Sequence, residues 1–252
     1  MKTLIDYILH LADNSFINGH RLSEWCGHGP ALEVDMALSN ISLDELGAAR
    51  SFYQYAASIE GNGKTEDSYP SFRDVREFRN VLLVELPNGN FADTMARSFY
   101  FDAFQFHFYT ALQQSSDKQI AAIAEKSLKE VTYHLKFSSE WVVRLGDGTD
   151  ESKQKMQTAI NQFWEYTGEL FSMSETEQDM LKQGIAIDVS LLKDDWEKTV
   201  ADTLAEATLR YPMHIEGGWF QSGGKTGIHT EYMGFILAEV QYMQKTYPGC
   251  EW

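Results

Sequence analysis

The 252-residue chain is long enough for one substantial core, and a composition of 43% hydrophobic and 13% aromatic residues excludes an intrinsically disordered protein. Lysine and arginine total 21 against 37 aspartate and glutamate residues, a formal net charge of −16 that argues against nucleic acid and anionic membrane surfaces as partners. Two cysteines, with no signal peptide or long apolar span, predict a soluble cytoplasmic protein with reduced thiols.

The first two predicted elements form a helical hairpin. Leu4, Ile8 and Leu11 recur at helical spacing, and the same pattern continues to predict a first helix over about 4–26. A short turn rich in glycine and proline ends that helix, and the next runs without a breaker over about 31–60. So short a turn predicts that the two helices are antiparallel.

A crossover separates this hairpin from a second one. A glycine-rich polar linker covers 61–70, and a shorter helix over about 73–86 ends before Pro87. Asn90 is then placed to cap a helix from 91 to about 114, and a helix rich in alanine, leucine, lysine and glutamate follows.

The order of hairpin, long crossover and hairpin is typical of ferritin-like folds. We therefore predict one all-α domain over 1–252, a ferritin-like helical bundle with additional C-terminal helices. Its core hairpins cover about 4–60 and 90–146, and accessory helices cover about 151–246. The accessory helices are expected near 151–172, 189–210 and 228–246, with a polar loop over 211–227.

The third long helix is aromatic on every side. Three consecutive aromatic residues alone spread over about 200° of a helix surface, so this helix must be covered all round. It is either central in its own bundle or partly buried against another chain, and the sequence leaves both readings open. The aromatic residues are Phe99, Tyr100, Phe101, Phe104, Phe106, Phe108 and Tyr109.

A ferritin-like bundle invites a test for di-iron ligands. Such sites take one carboxylate from each of two helices and a Glu-x-x-His pair from each of the other two. In the second helix the best placed acid is Asp44, but Gly47 stands three residues later where histidine is needed. The third helix offers Asp102, whereas the first offers Asp13 or Glu24 without a certain register.

The fourth long helix is also incomplete. It contains His134, yet Val131 occupies the position three residues earlier where glutamate is needed. Glu130 lies four residues before His134, so these two side chains are able to form a buried pair, although the register is wrong for a metal.

Three side chains of suitable type cannot hold two irons. We therefore favour a buried, hydrogen-bonded cluster of Asp44, Asp102 and His134 in which an ion pair replaces a metal, and we predict no catalytic, cofactor or metal site in this chain. A residual mononuclear metal site is the weaker alternative.

Several separated strings resemble the C subunits of the phenylacetyl-CoA epoxidase complex. The resemblance covers nearly the whole chain. Its strings are Trp25-Cys26-Gly27-His28, Leu43-Asp44-Glu45-Leu46-Gly47, Pro87-Asn88-Gly89-Asn90-Phe91-Ala92-Asp93-Thr94, Asn161-Gln162-Phe163-Trp164 and Gly223-Gly224-Lys225-Thr226-Gly227-Ile228-His229-Thr230-Glu231.

The resemblance implies a ferritin-like protein that pairs with a homologous catalytic A subunit holding the di-iron centre. It further implies a complex with a B subunit and a reductase, which epoxidises the ring of phenylacetyl-CoA with O₂ and NADPH during aerobic phenylacetate degradation. Against the ligand pattern of the catalytic relative, Asp44, Asp102 and His134 match by type, whereas Gly47 and Val131 depart from it.

Two hypotheses follow for function. In the first, the chain is a non-catalytic structural subunit that scaffolds its catalytic homologue, with self-association also possible. In the second, the chain is an iron-dependent oxygenase in its own right. The incomplete Glu-x-x-His pairs favour the first hypothesis.

Overall fold

The computed structural model describes residues 2–212 and 220–250, and within them every regular element is a helix. The ten α-helices of this part of the chain are α1 (Lys2–Ser23), α2 (Leu32–Glu60), α3 (Ser68–Phe72), α4 (Leu82–Glu85), α5 (Phe91–Leu112), α6 (Lys118–Gly146), α7 (Asp150–Trp164), α8 (Glu175–Lys182), α9 (Lys193–Glu206) and α10 (Glu231–Thr246). Short 3₁₀ turns cover Val75–Glu77, Gly168–Phe171, Val189–Leu192 and Gly224–Thr226. The predicted all-α class and the ferritin-like order of two long hairpins joined by a crossover are confirmed.

The chain divides into two compact units. The first unit comprises Met1–Leu86 and Gly223–Trp252, and the second comprises Pro87–Ser222. In the first unit α1 and α2 form the long hairpin, and α3, α4 and α10 pack beside it. In the second unit α5 and α6 form the other hairpin, against which α7 and α9 pack. The single domain over 1–252 stays a prediction.

Within the first unit, α1 and α2 approach each other closely. A Cβ atom added at Gly19 would lie 3.0 Å from Leu46 on α2, so the glycine leaves room for the neighbouring helix. The hydroxyl of Ser42 donates to the backbone carbonyl of Gly19 at 2.8 Å. The small residues at this crossing allow the buried side chains of the two helices to interdigitate.

The crossover is less helical than predicted. Instead of one helix over 73–86, the structure has a 3₁₀ turn and the four-residue α4. Polar side chains of α1 bond the extended backbone between them: His10 Nδ1 donates to the Arg79 carbonyl at 2.7 Å, and Asn14 Oδ1 accepts from the Val81 amide at 2.8 Å. These tertiary bonds satisfy groups that a helix would otherwise pair internally.

The second hairpin begins where the sequence predicts. Asn90 caps α5, because its side-chain oxygen accepts from the amides of Ala92 and Asp93 at 2.9 and 3.3 Å. The aromatic α5 packs against α6, α7 and α9 of its own unit, and most of its aromatic side chains are buried, as expected for a central helix. Tyr100 donates to the Ile160 carbonyl of α7 at 3.0 Å, and the indole of Trp196 on α9 donates to the Tyr100 carbonyl at the same distance.

The C-terminal helices differ in extent from the prediction. Both α7 and α9 are shorter than predicted, and α8 was missed although Ser174 and Glu177 form a capping box at its start. Residues 213–219 of the predicted loop lie outside the described residues. No helix in the described part of the chain combines the length and the apolar character needed to cross a lipid bilayer.

Candidate functional site

The ligand positions of the first hairpin are occupied by one carboxylate and two residues that are poor ligands. Glu45 on α2 is 2% exposed and accepts a hydrogen bond from the Asn18 amide of α1 at 3.1 Å. Ala48, three residues after Glu45, is also buried. The inward set of this hairpin is therefore Asn18, Glu45 and Ala48, where a complete site would have a carboxylate, a glutamate and a histidine.

The buried acid of α2 is Glu45, one residue after the predicted Asp44. Asp44 is half-buried, and a Cβ added at Gly47 would meet nothing within 4 Å. At about 100° per residue, both positions lie away from the buried stripe that Glu45 shares. That stripe comprises Val34, Leu38, Ile41, Glu45 and Phe52. The helical spacing of the four apolar residues identifies Glu45 as the buried acid. A comparison of the acidic residues alone does not use this signal.

In the second hairpin, Asp102 of α5 and His134 of α6 are 2% and 1% exposed. The metal-ligating atoms of these two side chains lie within 4.8 Å of each other. Val131 is buried one turn before His134, at the position where glutamate is needed. The structure thus places all three predicted residues of this hairpin on the buried faces of their helices.

Glu130 and His134 both lie in the described part of the chain, and they do not form the predicted pair. The carboxylate of Glu130 lies 3.7 Å from the ammonium group of Lys126, one turn earlier on α6, and is partly exposed. His134 instead belongs to the buried stripe of the helix, with Ser127, Val131 and Ser138. Glu130 lies beside that stripe, so its charge is paired where water still reaches it.

Taken hairpin by hairpin, the donors do not fit a di-iron centre. The first hairpin supplies one carboxylate, an amide and a methyl group, and the second supplies one carboxylate, an isopropyl group and an imidazole. Each hairpin of a complete centre supplies two carboxylates and one imidazole. Alanine and valine have no donor atom, and a neutral amide is a weak substitute for a carboxylate on iron.

The acid predicted as an alternative ligand on α1 is neutralised by arginine. Asp13 is 0% exposed and forms a bidentate ion pair with Arg73. One guanidinium nitrogen of Arg73 lies 3.0 Å from Oδ2 of Asp13. Its oxygens also accept from the Tyr53 hydroxyl at 2.6 Å and the Arg79 amide at 2.8 Å. Burial, followed by the nearby Asp13 charge, raises the pKa of Tyr53 well above its usual range, so Tyr53 remains a donor.

The sequence predicts Arg73 at the start of the crossover helix and gives no sign that it bonds Asp13 on another helix. Glu24, the other acid considered in the first predicted helix, lies just beyond the end of α1, is exposed and pairs with Arg21 at 2.7 Å. Neither of the two acids considered, Asp13 and Glu24, is therefore available as an inward ligand.

A second buried pair, also missed, joins the crossover to the segment before α10. Glu85 is 0% exposed and accepts from His229 Nδ1 at 2.8 Å, from the Asn80 amide at 2.9 Å and from the Thr230 backbone amide at 2.6 Å. The other ring nitrogen of His229 lies 3.1 Å from the Phe78 carbonyl oxygen. Both nitrogens face oxygens that only accept, so the geometry favours the doubly protonated imidazolium.

The stability of the first unit should depend on pH through His229. Burial lowers the pKa of His229, but the hydrogen bond and charge of Glu85 raise it more, so it lies above the ordinary 6.5. A raised pKa stabilises the fold fully below the unfolded value, and this contribution is lost as pH rises through the folded value. Urea unfolding between about pH 5.5 and 9 should therefore show wild type losing stability relative to His229→Gln as pH rises. A pH-independent difference between the two would contradict the charged pair.

The fold defines a helical protein of the ferritin-like class. The chain belongs to the family described as phenylacetic acid catabolic protein, which it matches over residues 1–252.

Two relatives in Escherichia coli (strain K12) bear on this result. The chain is 49% identical to the C subunit of 1,2-phenylacetyl-CoA epoxidase over 252 residues, which is the full length of both chains. It is 27% identical to the A subunit of the same epoxidase over 163 residues, covering 65% of this chain and 52% of that relative. The chain is thus similar to two different subunits of one enzyme, and far more similar to the C subunit.

Proposed function

We propose that this chain is a non-catalytic structural subunit of a 1,2-phenylacetyl-CoA epoxidase that acts in phenylacetate degradation. The observation that carries the proposal is the donor set: Asn18 and Ala48 in the first hairpin and Val131 in the second replace groups that would bind iron. Similarity to the C subunit over the full length supports the same role.

The catalytic partner that we propose is an A-type homologue of this chain with a complete ligand set and the di-iron centre. The weaker similarity to the A subunit supports a common origin of the two chains. In this proposal the A-type homologue carries out the oxygen chemistry, and this chain fixes its geometry. A B subunit and a reductase would complete a cytoplasmic assembly, and this chain would carry no cofactor of its own.

Metal analysis gives the first test. The chain, expressed with excess iron and purified alone, should contain close to no iron, whereas the A-type homologue prepared in the same way should contain close to two irons per chain. Two irons per chain in this protein would overturn the structural role and favour an oxygenase in its own right.

Reconstitution gives a second test, independent of metal content. The A-type homologue should be less soluble and less active alone than with this chain, because a partner that binds only the folded state stabilises it by mass action. An A-type homologue that is equally soluble and active without this chain would contradict the scaffold role.

A further inference from the structure

Three large apolar side chains on α2 face solvent. Leu32, Met36 and Leu43 are 72%, 58% and 66% exposed. Their spacings of four and seven residues place them within about 40° of one another on the helix surface. Single exposed apolar residues are ordinary, but a row of three on one helix marks an interaction surface.

Gly47 extends the same row. It lies in the middle of a 29-residue helix, where glycine is unfavourable compared with alanine. A Cβ atom at this position would meet nothing within 4 Å, so no contact within the described residues requires a glycine. Gly47 itself is half-buried, and a missing side chain next to the exposed apolar row lets the backbone of another chain approach closely. We call Leu32, Met36, Leu43 and Gly47 together the α2 surface.

The charges beside the α2 surface have one sign. No lysine or arginine occurs between Arg21 and Arg50, a stretch that includes the first half of α2. Glu33, Asp35 and Asp44 flank the apolar row in this part of the helix. The α2 surface is therefore apolar in the centre and acidic at the edges, which favours a partner that is apolar in the centre and basic at the edges.

We propose that the α2 surface docks the A-type homologue, through an apolar helix face bordered by lysine or arginine. This proposal rests on the proposed function, because it assigns the surface by which the structural subunit would bind its catalytic homologue. A second copy of this chain is the less favourable occupant. Two α2 surfaces would bring acidic edges together, and each copy carries a formal net charge of −16.

The test measures binding of the purified A-type homologue to variants of this chain by isothermal titration calorimetry. Leu43→Glu should raise Kd about tenfold or more, because it places a charge in the apolar centre. The matched control is Leu191→Glu, a change of the same type at a residue of the second unit that is 76% exposed, and its Kd should stay within about twofold of wild type. Circular dichroism checks that both variants remain folded.

Two further variants test the glycine and the charges. Gly47→Ala should raise the melting temperature of the isolated chain and yet raise Kd, since the added methyl group favours the helix but obstructs the partner. Glu33→Lys should also raise Kd and reduce its dependence on salt, because an attractive charge becomes repulsive.

The outcomes separate the two proposals. Failure of wild type to bind the A-type homologue would overturn the proposed function and this surface with it. Tight binding that Leu43→Glu and Leu191→Glu leave equally intact would overturn the surface and leave the function standing. Tighter binding by Glu33→Lys would contradict a basic partner. Dimers of this chain alone, dissociated by Leu43→Glu in sedimentation experiments, would overturn the proposed occupant and make it a second copy.

Discussion

Replacing Arg73 by methionine is expected to lower the free energy of unfolding by about 3–5 kcal/mol, measured by urea denaturation. The guanidinium of Arg73 supplies two of the four hydrogen bonds that hold the fully buried carboxylate of Asp13. Without it, the Tyr53 hydroxyl and the Arg79 amide remain as donors, but the negative charge loses the cation that is bonded directly to it. A buried charge without a partner is among the most costly defects in a protein interior.

The exposed pair of Arg50 and Glu66 provides the matched control. A guanidinium nitrogen of Arg50 lies 3.1 Å from a carboxylate oxygen of Glu66, but the side chain of Arg50 is 68% exposed. Arg50→Met should therefore lower the free energy of unfolding by no more than about 1 kcal/mol. Adding Asp13→Leu to Arg73→Met should recover part of the loss, because the charge that lacked a partner is removed as well. Equal destabilisation by Arg73→Met and Arg50→Met would show that the buried pair contributes no more than a surface pair.

The sequence was sufficient for the long helices, because their signals are local. The glycine at the end of α2 and the cap at Asn90 lie within a few residues of the helix ends that they define. The crossover was predicted wrongly because its conformation depends on side chains of α1 about 70 positions away in sequence. Local propensity favoured a helix there, and tertiary hydrogen bonds favoured an extended backbone.

In the candidate site, too, local sequence patterns identify some residues, and only tertiary contacts identify the others. Val131 and His134 both lie on the buried stripe of α6, whose spacing can be read from the sequence. On α2 the acids Asp44 and Glu45 are adjacent, and only the apolar stripe distinguishes the buried one. Asn18 could not be found from the sequence, because its role is defined by a hydrogen bond to Glu45 on another helix. Because Asn18 is an amide, comparing only the acidic residues of the helices does not identify it.

Glu85→Ala is expected to destabilise the protein by about 3–5 kcal/mol, because it removes both a counter-charge and an acceptor of several hydrogen bonds. Glu85 collects three hydrogen bonds, from His229, the Asn80 side chain and the Thr230 amide at the start of α10. Removing the carboxylate leaves the imidazolium without its counter-charge and two donors without an acceptor. Hydrogen exchange should then speed up at the Thr230 amide, because its bond to the carboxylate is lost.

Glu85→Gln separates charge from hydrogen bonding at this position. The amide oxygen of glutamine can still accept from the Thr230 amide, but it carries no charge to hold His229 protonated. We therefore expect an intermediate loss of about 1–3 kcal/mol and stability that no longer falls as pH rises through the raised pKa of His229. If Glu85→Gln keeps the pH dependence of wild type, the charge on His229 is not set by Glu85. If Glu85→Ala and Glu85→Gln unfold at the same urea concentration, the hydrogen bonds to the carboxylate contribute nothing beyond its charge.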